Sequence, residues 1–193
     1  MAVVRREIYI EYNYNAGEIE LAVADHFDPR QNLIVPNVAH GMGLHECDVL
    51  ILSQSGYATE VEIKISAGDL KADAKKSHKH NSNMIKALYF AIPEYLKDYI
   101  SYIPNRAGII LIKRVKNRYW DFEKQKTVED GEKNICEIIR AANINRNVEK
   151  WTDEDRLALM RLSTLRIWSL KRKIMLLQKN GRTNDNRAEG KTV

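Results

Sequence analysis

Cysteine is nearly absent: the 193 residues hold two, Cys47 and Cys136, far apart in the chain. They match no paired zinc-ligand spacing. The simplest expectation is two reduced thiols in a cytoplasmic protein, with Cys47 a small buried residue. Long apolar runs are also missing. No stretch approaches the roughly 18–20 residues that a membrane span needs, so no membrane partner is expected. The first residues, MAVVRREIYIEYNY, carry charges where a signal peptide has its apolar segment, and export is not expected. There is no internal repeat and no readable base-recognition helix, so sequence-specific contact with a nucleic acid is not implied.

What is present is an ordinary globular composition, 44% hydrophobic and 30% charged, in a chain long enough for one well-cored domain and an appendage. The net charge of +5 permits an anionic partner. Its distribution says more: from Lys64 to Lys86 six lysines, with His78 and His80, stand against only Asp69 and Asp73. From Asp153 to the end ten basic residues face five acids, an excess equal to that of the whole chain.

Alternation in residues 3–12 suggests a strand. Asn15 can cap a helix from Ala16 to Phe27, ended by Asp28-Pro29. NLIVPNV (32–38) reads as a strand, and Pro36 places it at an edge. After a turn over His40–His45 come two apolar runs, CDVLILS (47–53) and YATEVEIKIS (57–66), joined by Gln54-Ser55-Gly56. That pattern is a β-hairpin signal. Ser66 opens a helix over 67–80; 86–93 and 107–113 are buried-looking strands with a short helix (94–100) between them. RYWDF (118–122) adds strand character, and GEKNICEIIRAAN (131–143) looks helical. Thr152 with Asp153, Glu154 and Asp155 starts a helix that runs to about Lys179. Strand–helix–strand alternation predicts an α/β fold with a mixed sheet flanked by helices. The expected organisation is a core over 1–122, a C-terminal helical extension over 123–179 and a disordered tail over 180–193.

Between Leu157 and Leu177 apolar residues fall nearly all round the helix, so it needs cover on more than one side. A homodimer through this helix is one expectation. Trp168 shares a face with Arg161 and Arg172, where core packing competes with cation–π contact.

Chemistry concentrates on the second hairpin strand. Side chains alternate along a strand, so Glu60, Glu62 and Lys64 project from one face and Val61, Ile63 and Ile65 from the other. Carboxylates can hold hard cations such as Mg²⁺, while an ammonium can orient water or stabilise charge on a phosphate. Asp48 lies on the preceding strand, where a tight hairpin can set it beside Glu62. An E-x-K pattern alone also fits a solvent-facing strand with a cross-strand ion pair. The core-like flanks VLIL and VEIKI favour chemistry, as does the lysine-rich segment that follows. There Lys71, Lys75, Lys76, His78 and Lys79 can neutralise a phosphate backbone. Glu60 is open between an additional ligand and a partner for Lys64. Asp69 and Asp73 share a helix face and read as structural. His45, His78 and His80 invite a zinc reading but lack convincing partners, and phosphate contact or exposure is expected.

An Asp on one strand and E-x-K on its neighbour, here C47-D48-V-L-I-L and E62-I63-K64, resembles the PD-(D/E)xK nucleases, with Cys47 where many members have proline. EVEIKISAGDLKADAKK, then KALYFAIP, then PNRAGIILI is similar to the MmcB-like DNA-repair-associated branch over roughly residues 15 to 115. The resemblance implies a restriction-endonuclease-like core, DNA as partner, and Mg²⁺ or Mn²⁺ as cofactor. By the same resemblance Asp48 and Glu62 ligate the metal with the carbonyl of Ile63, and Lys64 positions water and stabilises the transition state. Relatives often add an acid from the first helix, for which Glu20 and Glu18 are the candidates and Glu20, mid-helix, the choice. Three functions compete: a metal-dependent DNA endonuclease, a nucleic-acid-binding module that keeps the fold without cutting, and an interaction protein whose ionic strand face is incidental.

Overall fold

The computed structural model describes residues 14–38, 44–75, 80 and 82–189, with side chains described to residue 179. The strand expected over 3–12 and most of the turn before His45 lie outside the described residues. The protein is α/β, with a six-stranded mixed sheet flanked by helices. In chain order the elements of its first part are α1 (Ala16–Phe27), β1 (Leu33–Val38), β2 (Cys47–Leu52), β3 (Ala58–Ile63), α2 (Ala67–Asp73), β4 (Ile85–Pro93), a 3₁₀ helix (Glu94–Tyr102), β5 (Gly108–Asp121) and β6 (Lys126–Arg140). The strands lie in sequence order, β1 to β6. The β1–β2, β2–β3 and β5–β6 pairs are antiparallel, whereas β3–β4 and β4–β5 are parallel. The parallel pairs follow from the connections, since α2 and the 3₁₀ helix each carry the chain back to its starting end.

Local chemistry explains several boundaries. Asn15 caps α1 through a reciprocal box: its side chain accepts from the Glu18 N–H at 2.9 Å, and the Asn15 N–H donates to Glu18 Oε2 at 3.2 Å. Gly56, with φ 84°, supplies the left-handed residue that the β2–β3 turn needs. Pro36 sits on β1, at the edge of the described sheet, where a missing N–H costs no ladder bond.

The two faces of the sheet are covered differently. On one, Ile19 and Val23 of α1 pack on Val49, Ile51, Val61, Ile63, Ala91, Ile110 and Ile112. On the other, Leu70 of α2 and Leu96 and Ile103 of the next connection pack on Leu88, Phe90, Ile92, Ile109 and Leu111. Seven residues are too few for a helix to persist alone. Burial of Leu70, worth about 1.5–3 kcal/mol, and the Ser66 cap hold α2 in place.

Three expectations need correction. Residues 131–143 do not form a helix: β6 runs beside β5 from the Ile109↔Arg140 pair to the Asp121↔Lys126 pair. The long β5 edge offers a continuous row of backbone partners, and sheet pairing overrides the helical spacing of Ile135, Ile138 and Ile139. The boundary expected at 122/123 therefore falls in the β5–β6 turn, and the compact units are Met1–Lys150 and Trp151–Val193. The helix expected over 67–80 stops at Asp73.

The second unit contains α3 (Asp153–Glu189), which continues past Lys179 into the stretch expected to be disordered. Its start is the expected one: Thr152 Oγ1 accepts from the Asp155 N–H at 3.1 Å, and Asp155 Oδ2 accepts from the Thr152 N–H at 2.9 Å. Trp168 is half-exposed rather than packed in a core, and Lys171 Nζ lies 5.3 Å from its ring centroid. Among the described residues no helix is long and apolar enough to cross a membrane.

Candidate metal and catalytic centre

The alternation of β3 sends Val61 and Ile63 into the core beneath α1 and turns Glu60, Glu62 and Lys64 to the opposite face. All three are buried, at 0%, 2% and 8% exposure. That degree of burial rules out an incidental surface ion pair, because charges so placed are stable only when paired or liganded. The last ladder pair of the hairpin is Val49↔Val61, which sets Asp48 beside Glu62. Asp48 Oδ2 accepts a hydrogen bond from the Ile63 N–H at 2.7 Å. Lys64 Nζ then reaches three carboxylates: Glu62 Oε2 at 2.6 Å, Asp73 Oδ1 at 3.5 Å and Asp48 Oδ2 at 3.7 Å. The Asp48 side chain is 37% exposed, so the cluster opens to solvent there.

Asp73 is not a surface helix residue. It is buried at the end of α2, and its Oδ2 lies 2.9 Å from His80 Nε2. His80, expected to be exposed or to face phosphate, is 1% exposed and places Nδ1 2.8 Å from Glu60 Oε1. His45 Nε2 lies 2.7 Å from the same oxygen. The rings of His45 and His80 meet edge-on at 5.2 Å, and Phe90 packs edge-on against His80 at 5.7 Å. A cavity of about 520 Å³ borders Asp73 and His80 and is also lined by Ser101, Tyr102 and Arg106.

Burial and charge oppose one another throughout the cluster. Burial disfavours the ammonium of Lys64, but the Glu62, Asp48 and Asp73 carboxylates outweigh it and raise its pKa. For Glu62 burial wins over the Lys64 attraction and raises the carboxyl above the usual range, helped by Asp48. Glu60 is the reverse: burial raises it, but hydrogen bonds from His45 and His80 bring it below the ordinary value. His80 loses by burial and gains more from Asp73 and Glu60, which push it up to about 9. Cys47 is held as a neutral thiol by burial and by the neighbouring carboxylates, as a small core residue would be.

The expected site residues divide clearly. Asp48, Glu62 and Lys64 come together. Glu20 does not join them, because α1 covers the other face of the sheet; its Oε1 accepts from Asn37 Nδ2 at 3.1 Å. Glu18 is engaged with the Asn15 cap and with Arg114 at 3.1 Å. Lys71 and Lys75 are exposed, with Lys71 Nζ 5.5 Å from the Tyr102 ring centroid, whereas Lys76, His78 and Lys79 lie outside the described residues. Sequence reasoning missed the roles of Asp73, His45 and His80. The available signal was Glu60 itself: a third charge on the buried strand face demands partners from elsewhere in the chain.

No family model matches the chain, and no curated protein matches it in sequence. Its structure is similar to that of the SPO1766 protein of unknown function from Silicibacter pomeroyi, with a TM-score of 0.52 and 18% identity over 86% of this chain and 92% of that one. At that identity the likeness speaks to fold alone.

Proposed function

We propose that this chain is a metal-dependent nuclease of the PD-(D/E)xK type, with a restriction-endonuclease-like core, acting on DNA phosphodiester bonds. The observation that carries this reading is the convergence of Asp48 and Glu62 on the Lys64 ammonium at one solvent-open end of a hairpin. The donor set fits a hard divalent cation. Asp48 and Glu62 each present a carboxylate, and Glu62 Oε1 is buried and accepts no hydrogen bond, with His80 Nδ1 3.9 Å away. Asp48 and Glu62 would hold Mg²⁺ or Mn²⁺, with the Ile63 carbonyl as the resemblance implies. The ion supplies a more acidic bound water and charge neutralisation at the phosphate.

The chain's own groups supply the rest. Lys64, restrained by three carboxylates, holds its ammonium where negative charge develops on a phosphate entering past Asp48. Asp73, at 3.5 Å, gives that ammonium a second buried restraint besides Glu62. The exposed Lys71 and Lys75 follow on α2 and the turn after it, placed to meet a phosphate backbone and to make binding salt-sensitive.

The test is a panel of labelled duplex, forked, flapped and single-stranded DNAs with Mg²⁺ or Mn²⁺. Wild type should cut at least one member, and Asp48→Asn should cut it at least about 10²-fold more slowly. The amide oxygen introduced by that substitution can still accept from the Ile63 N–H, so folding and DNA binding should persist. Cleavage by Asp48→Asn at the wild-type rate would sink the nuclease reading. Salt-sensitive binding with no metal-dependent cutting would favour the non-cleaving module.

A further inference from the structure

Beside the Asp48/Glu62 pair, the same strand face carries a second arrangement with different chemistry. His45 Nε2 and His80 Nδ1 converge on the Glu60 carboxylate at 2.7 and 2.8 Å. The three donor atoms lie within 4.8 Å of one another. Glu60 is fully buried, yet its other oxygen, Oε2, has no hydrogen-bond partner. A buried carboxylate oxygen left unsatisfied is costly unless something else occupies it.

Charge points the same way. Among the described residues, Glu60, Glu62 and Asp73 are three buried carboxylates, and Lys64 is the one buried lysine beside them. Buried charge of one sign calls for a bound cation.

We propose that His45 Nε2, Glu60 and His80 Nδ1 form a binding site for a borderline divalent metal ion of the zinc class, next to the hard-cation pair, whose Glu62 Oε1 lies 3.9 Å from His80 Nδ1. Two imidazoles and one carboxylate are a nitrogen-rich set that Mg²⁺ disfavours and Zn²⁺ accepts. Asp73 completes the design: its Oδ2 is 2.9 Å from His80 Nε2 and keeps the proton there, so that a metal ion displacing the Nδ1 proton now given to Glu60 would meet the Nδ1 lone pair. Zn–N bonds of about 2.0–2.1 Å put neighbouring donors roughly 3.3 Å apart in a tetrahedron. The two nitrogen–oxygen spacings therefore need only about half an ångström of opening, and the three donors already lie within 4.8 Å of one another. His80 adopts φ 55°, a left-handed conformation uncommon outside glycine, and this is the residue whose ring must reach both Glu60 and Asp73. The fourth position is left for water or an external group, beside the cavity that Asp73 and His80 line.

The experiment is metal titration of the full metal-depleted chain at neutral pH, with Zn²⁺ followed by calorimetry and Co²⁺ by visible absorption. Wild type should take up one equivalent of Zn²⁺ and give the visible bands of tetrahedral Co²⁺. His45→Gln, which alters a partly exposed ring, should abolish stoichiometric uptake with little change in melting temperature. Asp73→Asn should weaken affinity by roughly 10–100-fold. Asp48→Asn should bind as wild type does, whatever its effect on DNA cleavage, so this result stands apart from the nuclease reading. The proposal is overturned by any of three outcomes: no Zn²⁺ uptake by wild type, unchanged uptake by His45→Gln, or equal loss in Asp48→Asn.

Discussion

Lys64→Met is expected to lower the unfolding free energy by about 3–5 kcal/mol at neutral pH, the cost of leaving buried carboxylates without their cation. The size follows from burial: Lys64 is 8% exposed and its ammonium reaches Glu62, Asp73 and Asp48. Adding Glu62→Gln should restore most of the loss, because the closest orphaned charge, the one 2.6 Å from Nζ, is then removed. Denaturant midpoints for the two variants and the wild type measure both effects. A Lys64→Met protein as stable as wild type would show that the carboxylates take up protons or ions instead. Under conditions where the variant is folded, metal-dependent cleavage should fall by at least about 10²-fold. Asp48→Asn makes the contrast: its side chain is 37% exposed, so activity should drop while stability barely moves.

The second large effect is a pH dependence. The folded pKa of His80, about 9, lies above its ordinary 6.5. A raised value means that the folded state holds the proton more tightly, so this contribution is fully present below about pH 6.5. It is lost as pH rises through about 9. A shift of this size corresponds to about 3 kcal/mol. Of the acids in the cluster, Glu60 is lowered from 4.5 and acts at lower pH, whereas the raised Glu62 loses stability as pH rises, in the same sense as His80. The His80 share of the loss between about pH 6.5 and 9 in the metal-free protein is the difference between wild type and a variant without the imidazole. Unfolding by urea in the presence of a chelator at about pH 6 and about pH 9.5, either side of that window, should reveal the loss. His80→Gln, less stable at the lower pH, should lose less than wild type between those two values. A wild-type stability that stays level across the window would contradict the arrangement.

The parts of this molecule that were legible from sequence are those whose determinants are close in the chain. The Asn15 cap and Asp28-Pro29 bracket α1, and the Gly56 turn fixes the hairpin that sets Asp48 beside Glu62. Strand alternation alone assigned Glu60, Glu62 and Lys64 to one face. The rest depends on contacts that local spacing does not encode. Asp73 and His80 reach the cluster only because α2 ends after seven residues and folds its last acid inward. Glu20 was placed on the wrong side because nothing in a helix pattern says which sheet face the helix will cover. The isoleucines of β6 have helical spacing, and only the long edge of β5 decides otherwise.

One hydrogen bond ties the sheet to the chemistry. The hairpin ladder closes at Val49↔Val61, and the next inward amide, that of Ile63, is given to the Asp48 carboxylate. A cation that draws the Asp48 carboxylate aside frees that amide to exchange with solvent. On the proposed reading, the end of the hairpin is a built-in indicator: protection at a single backbone position would report whether a cation has engaged Asp48.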